Sequence, residues 1–492
     1  MKKISFKGVS GDSIFLAFSK IITLLFGILT AKILSMGLTL TEYGTYSQAN
    51  LVNTISASLL LLGLPDALNF FYNNKDSCDK DSREKYINTI FFIEIFLWAI
   101  LFVFIIFGRN LIAAYFGNDA IKSLLPIAAL IPVAANSILL YHVLYVSIGK
   151  ARIMALLNLF TTTVKIPFIY LAVYVFENLI WIFVTFFSLE LIQIVFFIVF
   201  LGKKGIRVNP FKFSSSKIKK ILTYALPMGI YSLTATLTRV LSKLVVGRLA
   251  GTENLAIYTN CSKILPFDFL VTSFAVVLIP YIVKYVSACD KEKSKTLFSQ
   301  YLKVGYYSVW ILATMVLIAP ETIISFLYSD EYIVGKKIFI IYTFDSMLRF
   351  ASMHLILTSA NKSKNVMIYS LFALGLNLVL NIAFYYMFGL IGPAIATLVV
   401  ALIYTYLILG KSIKIIDTRW RDVFNAKEIL WLVFTLACLW GAMFTLNILL
   451  VKIGLHRYLS MILCMSIFGF SALGIHFKKI VAILKNINSF RM

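Results

Sequence analysis

Acidic residues are scarce: 22 Asp and Glu stand against 46 Lys and Arg in 492 residues, and charged side chains of both signs make up only 14%. A soluble domain is nearer a quarter charged, so a water-soluble globular class is excluded. Cysteine is also sparse. Cys78, Cys261, Cys289, Cys438 and Cys464 are scattered without C-x-x-C spacing, which excludes a disulfide framework and a zinc site and leaves them as apolar packing residues. No G-x-x-x-x-G-K-[ST] loop is present, so ATP hydrolysis by that route is excluded. The first apolar run, Ile14–Met36, is too long for a signal core and has no small-residue cleavage site behind it. The net charge of +24 does not point to nucleic acid, because no basic patch alternates with aromatics on a soluble segment.

Apolar side chains are what the chain has, at 60% of residues. About 20 consecutive apolar residues span a bilayer as a helix, and lipid offers backbone groups no partner outside such a segment. Runs of this kind predict an all-α polytopic membrane protein with about fourteen spans. They lie near 13–36, 46–72, 86–108, 123–148, 153–175, 179–201, 221–249, 256–286, 299–319, 338–359, 366–387, 391–410, 429–450 and 457–476. Alternate loops collect 31 basic residues, while the opposite loops hold only Arg109, Lys122, Lys336, Lys337, Lys452 and Arg457. The positive-inside rule then places both termini in the cytoplasm.

Sliding the chain on itself by 212 residues aligns Tyr46 with Tyr258, Trp98 with Trp310 and His142 with His354. The same shift lays SIGK (147–150) on SANK (359–362) and IAAYFGND (112–119) on ISFLYSDE (324–331). The repeat is six spans, an even number, so its two copies enter the membrane alike, as in parallel-repeat transporters. The expected domains are an N-terminal six-helix lobe (1–201), a basic linker (202–220), a second six-helix lobe (221–410) and two added helices with a tail (411–492).

Several segments resemble one family, the oligosaccharide flippases of the multidrug/oligosaccharidyl-lipid/polysaccharide (MOP) exporter superfamily. They are LTEYGTYSQA (40–49), GLPDALNFFY (63–72), VVGRLAGTENLAIYTNCSKI (245–264), LIPYIVKY (278–285) and FYYMFGLIGPAIAT (384–397), the last with Pro393 in place of an alanine. The resemblance implies a bacterial inner-membrane protein that moves undecaprenyl-pyrophosphate-linked oligosaccharide to the outer leaflet for surface polysaccharide such as O-antigen. It implies a V-shaped two-lobed bundle with a cavity lined by spans 1, 2, 7 and 8. It also implies membrane lipids, a polysaccharide polymerase and chain-length machinery as partners.

Charges inside spans face the bundle interior and mark function by default. Ser232, Thr236, Arg239 and Lys243 follow i, i+4, i+7, i+11, one stripe of a helix. Lys20 in span 1 holds the repeat position of Ser232, so by symmetry the two stripes should face each other. Such a wet, cationic cleft would replace the hydration of a pyrophosphate and sugar head; snorkelling toward the surface is the plainer account of Arg239 and Lys243. Asn50 and Asn53 on span 2, and Lys263 and Asp268 on span 8, are further cavity candidates, with a Lys263–Asp268 pair the structural alternative. Lys165, Glu94 and Glu190 are read as interhelical partners, and Asp345 with Arg349, one turn apart, as a local ion pair. His142 and His354 are read as relics of the duplication.

No catalytic residue, metal or cofactor is expected, and coupling to a proton or sodium gradient stays open. Three alternatives remain beside the oligosaccharide flippase. A peptidoglycan-precursor flippase shares the pyrophosphate lipid. An ion-coupled drug exporter fits poorly, since Asp12 and Asp66 lie toward membrane edges. A membrane polymerase or glycosyltransferase needs a substantial outer loop, and the longest, about 320–337, holds only Glu321, Asp330 and Glu331 as acids.

Overall fold

The computed structural model describes residues 6–73, 80–263, 267–288 and 290–489, which are helical with no strand among them. Contacts divide the chain into two compact units, Met1–Ala256 and Ile257–Met492.

In the first unit the helices are α1 (Phe6–Gly37), α2 (Leu40–Leu61), α3 (Leu64–Asn73), α4 (Lys80–Phe116), α5 (Ile121–Ala128) and α6 (Ile131–Ser147). They continue as α7 (Ala151–Tyr174), α8 (Leu179–Lys203), α9 (Ser215–Leu249) and the start of α10 (Thr252–Cys261). Thr39 and Glu42 form a reciprocal capping box that starts α2 one turn after α1 ends. α1 lies along α7, where a Cβ on Gly37 would come within 2.2 Å of Val173. One apolar cluster joins α3, α4, α6 and α8 through Leu68, Phe71, Ile90, Tyr141 and Phe197, with Phe71 stacked on Tyr86 at 4.6 Å.

The basic linker is ordered and fastened to α4. Asn209 N–H donates to Asn88 Oδ1 (2.8 Å) and Ser214 N–H to Thr89 Oγ1 (3.0 Å). Phe213 stacks on Phe92 at 3.8 Å. Lys217 Nζ donates to Ser82 and stands 3.6 Å from the centre of the Tyr86 ring. Burial, then the nearby Lys85 and Lys220, lowers the pKa of this ammonium.

The second unit contains α11 (Asp268–Ser287), α12 (Lys291–Gly305), α13 (Ile311–Val316), α14 (Pro320–Leu327), α15 (Lys336–Arg349) and α16 (Leu355–Ser359). It ends with α17 (Ser363–Phe388), α18 (Gly392–Ile415), α19 (Trp420–Val423), α20 (Ala426–Lys452) and α21 (Arg457–Ser489). A π-helical turn, Tyr306–Trp310, joins α12 to α13. The turn between α17 and α18 requires glycine, since a Cβ on Gly392 would meet Phe384 O at 1.9 Å. α20 and α21 have no counterpart in the repeat and attach to α12–α14 by polar contacts. Glu428 accepts from Lys303 Nζ (2.8 Å) and Tyr307 O–H (3.0 Å). Trp440 donates to Leu317 O (2.9 Å), and Arg457 pairs with Asp330 at 3.2 Å. Hydrogen bonds from Ser325 and then Arg457 hold the Asp330 carboxyl below its ordinary value.

Among the described residues, eight helices are long and apolar enough to cross a membrane, and nine if the bent pair Lys291–Val316 with Pro320–Leu327 is one span. One of the eight, Ser363–Ile415, holds two predicted spans, α17 and α18, in 53 residues. Others, such as α9 with its cations, are long without meeting an apolar criterion. Every predicted span has a helix or a closely spaced helix pair at its place.

The two copies of the repeat also share local geometry. Trp98 Nε1 donates to Ala129 O (3.0 Å), and its equivalent Trp310 donates to Met347 O (2.9 Å). Gly149 and its equivalent Asn361 both have left-handed backbone, φ 70° and 55°. The next amides close the same wide turn, Lys150 N–H to Tyr145 O and Lys362 N–H to Leu357 O, each 2.8 Å. Asn is the residue that best tolerates this conformation after Gly. Asn361→Gly should therefore hold the thermal midpoint of the detergent-purified protein, while Asn361→Val should cost about 1–2 kcal/mol. Equal midpoints for the two variants would contradict the turn.

Candidate functional site

The stripe on α9 lies in the first unit, where α9 packs along α2, α3 and α4. Two joints fasten it to α2. At one, the chain turns through left-handed Leu62 and Gly63 (φ 36° and 71°) between α2 and α3. A Cβ on Gly63 would come 2.4 Å from Ala225 O, and a Cβ on Gly229 would come 2.5 Å from the Leu62 backbone. Pro227 sits in α9 beside this crossing, removing one helical N–H where the backbones meet.

At the other joint the contacts are hydrogen bonds. Thr41 Oγ1 donates to Glu253 (2.8 Å), and Gln48 Nε2 donates to Thr252 Oγ1 (3.1 Å). Asn118 Nδ2 donates to both Thr45 Oγ1 (2.8 Å) and Gln48 Oε1 (2.7 Å). Gly44 lies so close to Thr252 that a Cβ would stand 2.1 Å from its carbonyl oxygen. Arg248 Nη1 donates to the carbonyls of Ala114 (2.9 Å) and Tyr115 (3.0 Å), which caps the C-terminus of α4.

Between these joints stand Asn50 and Asn53 on α2 and Ser232, Thr236, Arg239 and Lys243 on α9. Asn50 is exposed; Asn53 is buried, with its Oδ1 lacking a protein hydrogen bond. Neighbouring threonines bond their own helix: Thr234 Oγ1 to Ile230 O and Thr238 Oγ1 to Thr234 O. The buried Thr236 instead accepts from Arg239 Nη2 at 3.2 Å. Arg239 itself is exposed, and among the described residues no carboxylate pairs with it. A guanidinium with only one terminal nitrogen bonded to a hydroxyl among the described residues keeps further donors for a phosphate or carboxylate.

Lys20 falls on α1 with its side chain outside the described residues, as does that of Asp268 on α11. The packing partner of α1 is α7 and that of α9 is α2, so the expected facing of the two stripes is not a packed contact. Glu94 is buried and accepts from Ser137 Oγ at 3.1 Å to each oxygen. Lys165 and Glu190 line a polar cavity of about 230 Å³ with Asn158, Thr161 and Gln193. Lys165 Nζ lies 3.5 Å from the centre of the Phe186 ring, and Gln193 Nε2 donates to Asn158 Oδ1 at 2.7 Å.

In the second unit, Lys263 Nζ donates to Asn260 Oδ1 at 2.9 Å and is 5.5 Å from the centre of the Tyr328 ring. Asp345 accepts from Arg349 Nε (2.9 Å) and Nη2 (2.8 Å) on the same helix. Among the described residues, no group of three or more His, Cys, Asp or Glu could hold a metal ion. Gln48, Asn118 and Thr252 had no sequence signal as a cluster. Gly63 lay in a family-like segment, but nothing in the sequence pairs it with Gly229.

This fold, with cations on a helix of a duplicated bundle, is that of the MOP exporter superfamily, whose members are transporters and not enzymes. Within it, the chain belongs to the polysaccharide biosynthesis protein family, which matches residues 10–286. A second family, MatE, matches residues 227–383. No curated protein matches the chain. Among solved structures it resembles the lipid II flippase MurJ in an inward closed conformation, with TM-score 0.72 and 16% identity over 96% of this chain and 99% of that one. An inward-facing multidrug resistance MATE family transporter aligns with TM-score 0.64 and 14% identity, covering 80% of this chain and 94% of that one. The Vibrio cholerae MATE transporter VcmN gives 0.58 and 12%, covering 83% and 97%. The chain is a multi-pass membrane protein.

The glycine crossing makes a direct prediction. Gly229→Val should lower stability by about 1–3 kcal/mol through overpacking, read as a lower thermal midpoint in detergent. Gly27→Ala is the control, because nothing lies within 4 Å of its position. Equal midpoints for the two variants would show that α2 and α9 do not meet there.

Proposed function

We propose that this protein is a flippase carrying undecaprenyl-pyrophosphate-linked oligosaccharide from the cytoplasmic to the outer leaflet of a bacterial inner membrane. Its product would feed surface polysaccharide: O-antigen, capsule or exopolysaccharide. The observation that carries the reading is Arg239, exposed on α9 between two fixed joints and, among the described residues, held by Thr236 alone. A pyrophosphate head cannot cross hydrocarbon with its hydration removed and unreplaced. A guanidinium offers paired, charge-assisted donors to phosphate oxygens, and Lys243, Asn50 and Asn53 extend that polar surface along the same helices. Membership in a polysaccharide biosynthesis family supports an oligosaccharide as the group on the lipid.

A second reading takes the peptidoglycan precursor as cargo, favoured by the likeness in fold to a lipid II flippase. Both cargoes share the pyrophosphate, so Arg239 has the same role in each. A drug exporter is less well supported, because the polar stripe is cationic. The asymmetry of loop charge supports cytoplasmic termini, and a polymerase with chain-length machinery would receive the flipped lipid. A proton or sodium gradient is the coupling that this reading leaves open.

The test uses a strain whose surface polysaccharide depends on this chain. Arg239→Ala should lower output about ten-fold at equal membrane protein level, the scale of one lost hydrogen bond to a charged group. Lys20→Ala should act in the same direction, and Arg239→Lys should recover part of the loss. Full output from both alanine variants would reject the cationic site. Wild-type failure to restore polysaccharide, with rescue of a strain lacking its lipid II flippase, would transfer the cargo to the second reading.

A further inference from the structure

α20 and α21 add to the repeat a cleft with two chambers of opposite character. The first, about 410 Å³, lies at the lysine-rich end and is lined by Gln300, Lys303, Asn425, Lys427, Glu428 and Lys479, among others. The second, about 430 Å³, runs along α12, α13 and α21 and is lined by Val304, Ile311, Leu312, Met315, Leu473 and Ile480, among others. Ile483 lines both, and Tyr307, on the wall of the apolar chamber, bonds to Glu428 in the polar one. They are therefore neighbours along one cleft.

The charge of the polar chamber is settled by its pairs. Glu428 is occupied by Lys303 Nζ at 2.8 Å and by Tyr307 O–H at 3.0 Å. Among the described residues, Lys427 and Lys479 belong to no salt bridge, so the chamber is left cationic. Gln300 is 8% exposed, and its Oε1 is buried without a hydrogen-bond partner. That acceptor calls for a donor from whatever fills the chamber. The π-helical turn Tyr306–Trp310 lies where the chambers adjoin, a local irregularity of the kind found at functional sites.

We propose that this cleft is a binding site for an anionic phospholipid with a hydroxyl-bearing headgroup, of the phosphatidylglycerol type. The phosphate sits between Lys427 and Lys479, a headgroup hydroxyl donates to Gln300 Oε1, and an acyl chain lies along Val304, Ile311, Leu312 and Leu473. A resident lipid of this kind would bridge α12–α13 to α21 and fix the two added helices to the unit. The site is independent of the cargo proposed above, and its test reads lipid retention, not polysaccharide output.

The experiment is native mass spectrometry of the full-length protein, purified in detergent and supplied with dioleoyl phosphatidylglycerol or dioleoyl phosphatidylcholine. Wild type should retain the glycerol lipid in preference to the choline lipid. Lys427→Gln with Lys479→Gln should weaken glycerol-lipid binding about thirty-fold, the scale expected for two surface lysines, and leave choline-lipid occupancy unchanged. Leu473→Trp, which fills the apolar chamber, should lower retention of both, and all variants should elute as the wild type in gel filtration. If a variant misfolds, Gln300→Glu serves instead, and it should lower only glycerol-lipid occupancy. Equal retention of the two lipids by wild type, or undiminished glycerol lipid in the double lysine variant, would overturn the site. A co-purified polyprenyl pyrophosphate displaced by neither phospholipid would overturn it in favour of the cargo.

Discussion

A cationic side chain on a membrane helix has to find oxygen atoms, an aromatic face or water, because hydrocarbon supplies none of them. Much of this structure answers that demand. Arg248 takes the last carbonyls of α4, Arg239 takes the Thr236 hydroxyl, and Lys165 takes the face of Phe186. In the second unit Lys263 takes an asparagine, Arg349 an aspartate one turn away, and Lys303 the carboxylate of Glu428. Five of the six are met largely within the chain. Arg239 and Arg248 are both exposed, but Arg248 is committed to two backbone carbonyls whereas Arg239 meets one hydroxyl, and that difference separates a structural cation from a candidate ligand for an anion.

The segments that carry the family resemblance turn out to be halves of shared contacts. LTEYGTYSQA contributes Thr41, Gly44 and Gln48, and GRLAGTEN contributes Thr252 and Glu253 to meet them. GLPDALNFFY contributes Gly63, which meets Ala225 next to Gly229 of α9. Gly44 and Gly63 of these motifs are thereby explained by close approach of backbones, and Thr41, Gln48, Thr252 and Glu253 by the hydrogen bonds beside them. Small residues at such crossings let helices pack where lipid gives no hydrophobic drive. The site residues are positioned by these joints and are not part of them.

The spans, the duplication and the turn at SIGK and SANK were legible because each depends on local composition or on identity at a fixed shift. Asn361 could be matched to Gly149 before its left-handed backbone was seen. Partners far apart in sequence were not legible. Gln48 and Thr252 are separated by 204 positions, and periodicity tells which face a residue occupies but not which helix stands opposite. For the same reason the packing partners, α7 for α1 and α2 for α9, could not be read from the symmetry of the two stripes. Nor did periodicity show that Arg248 caps α4. Lys165 and Glu190, read as partners, share a polar cavity with Asn158, Thr161, Thr162 and Gln193.

By the internal repeat α9 opens the second copy, yet by contact it belongs with α2, α3 and α4 in the unit Met1–Ala256. The unit of duplication and the unit of packing are thus out of step by one helix. During synthesis α1–α8 precede α9, so the backbone surface at Leu62 and Gly63 stays uncovered until Gly229 has followed them into the membrane. The linker, fastened to α4 through Asn88, Thr89 and Phe92, leads directly into α9, which packs on α2, α3 and α4.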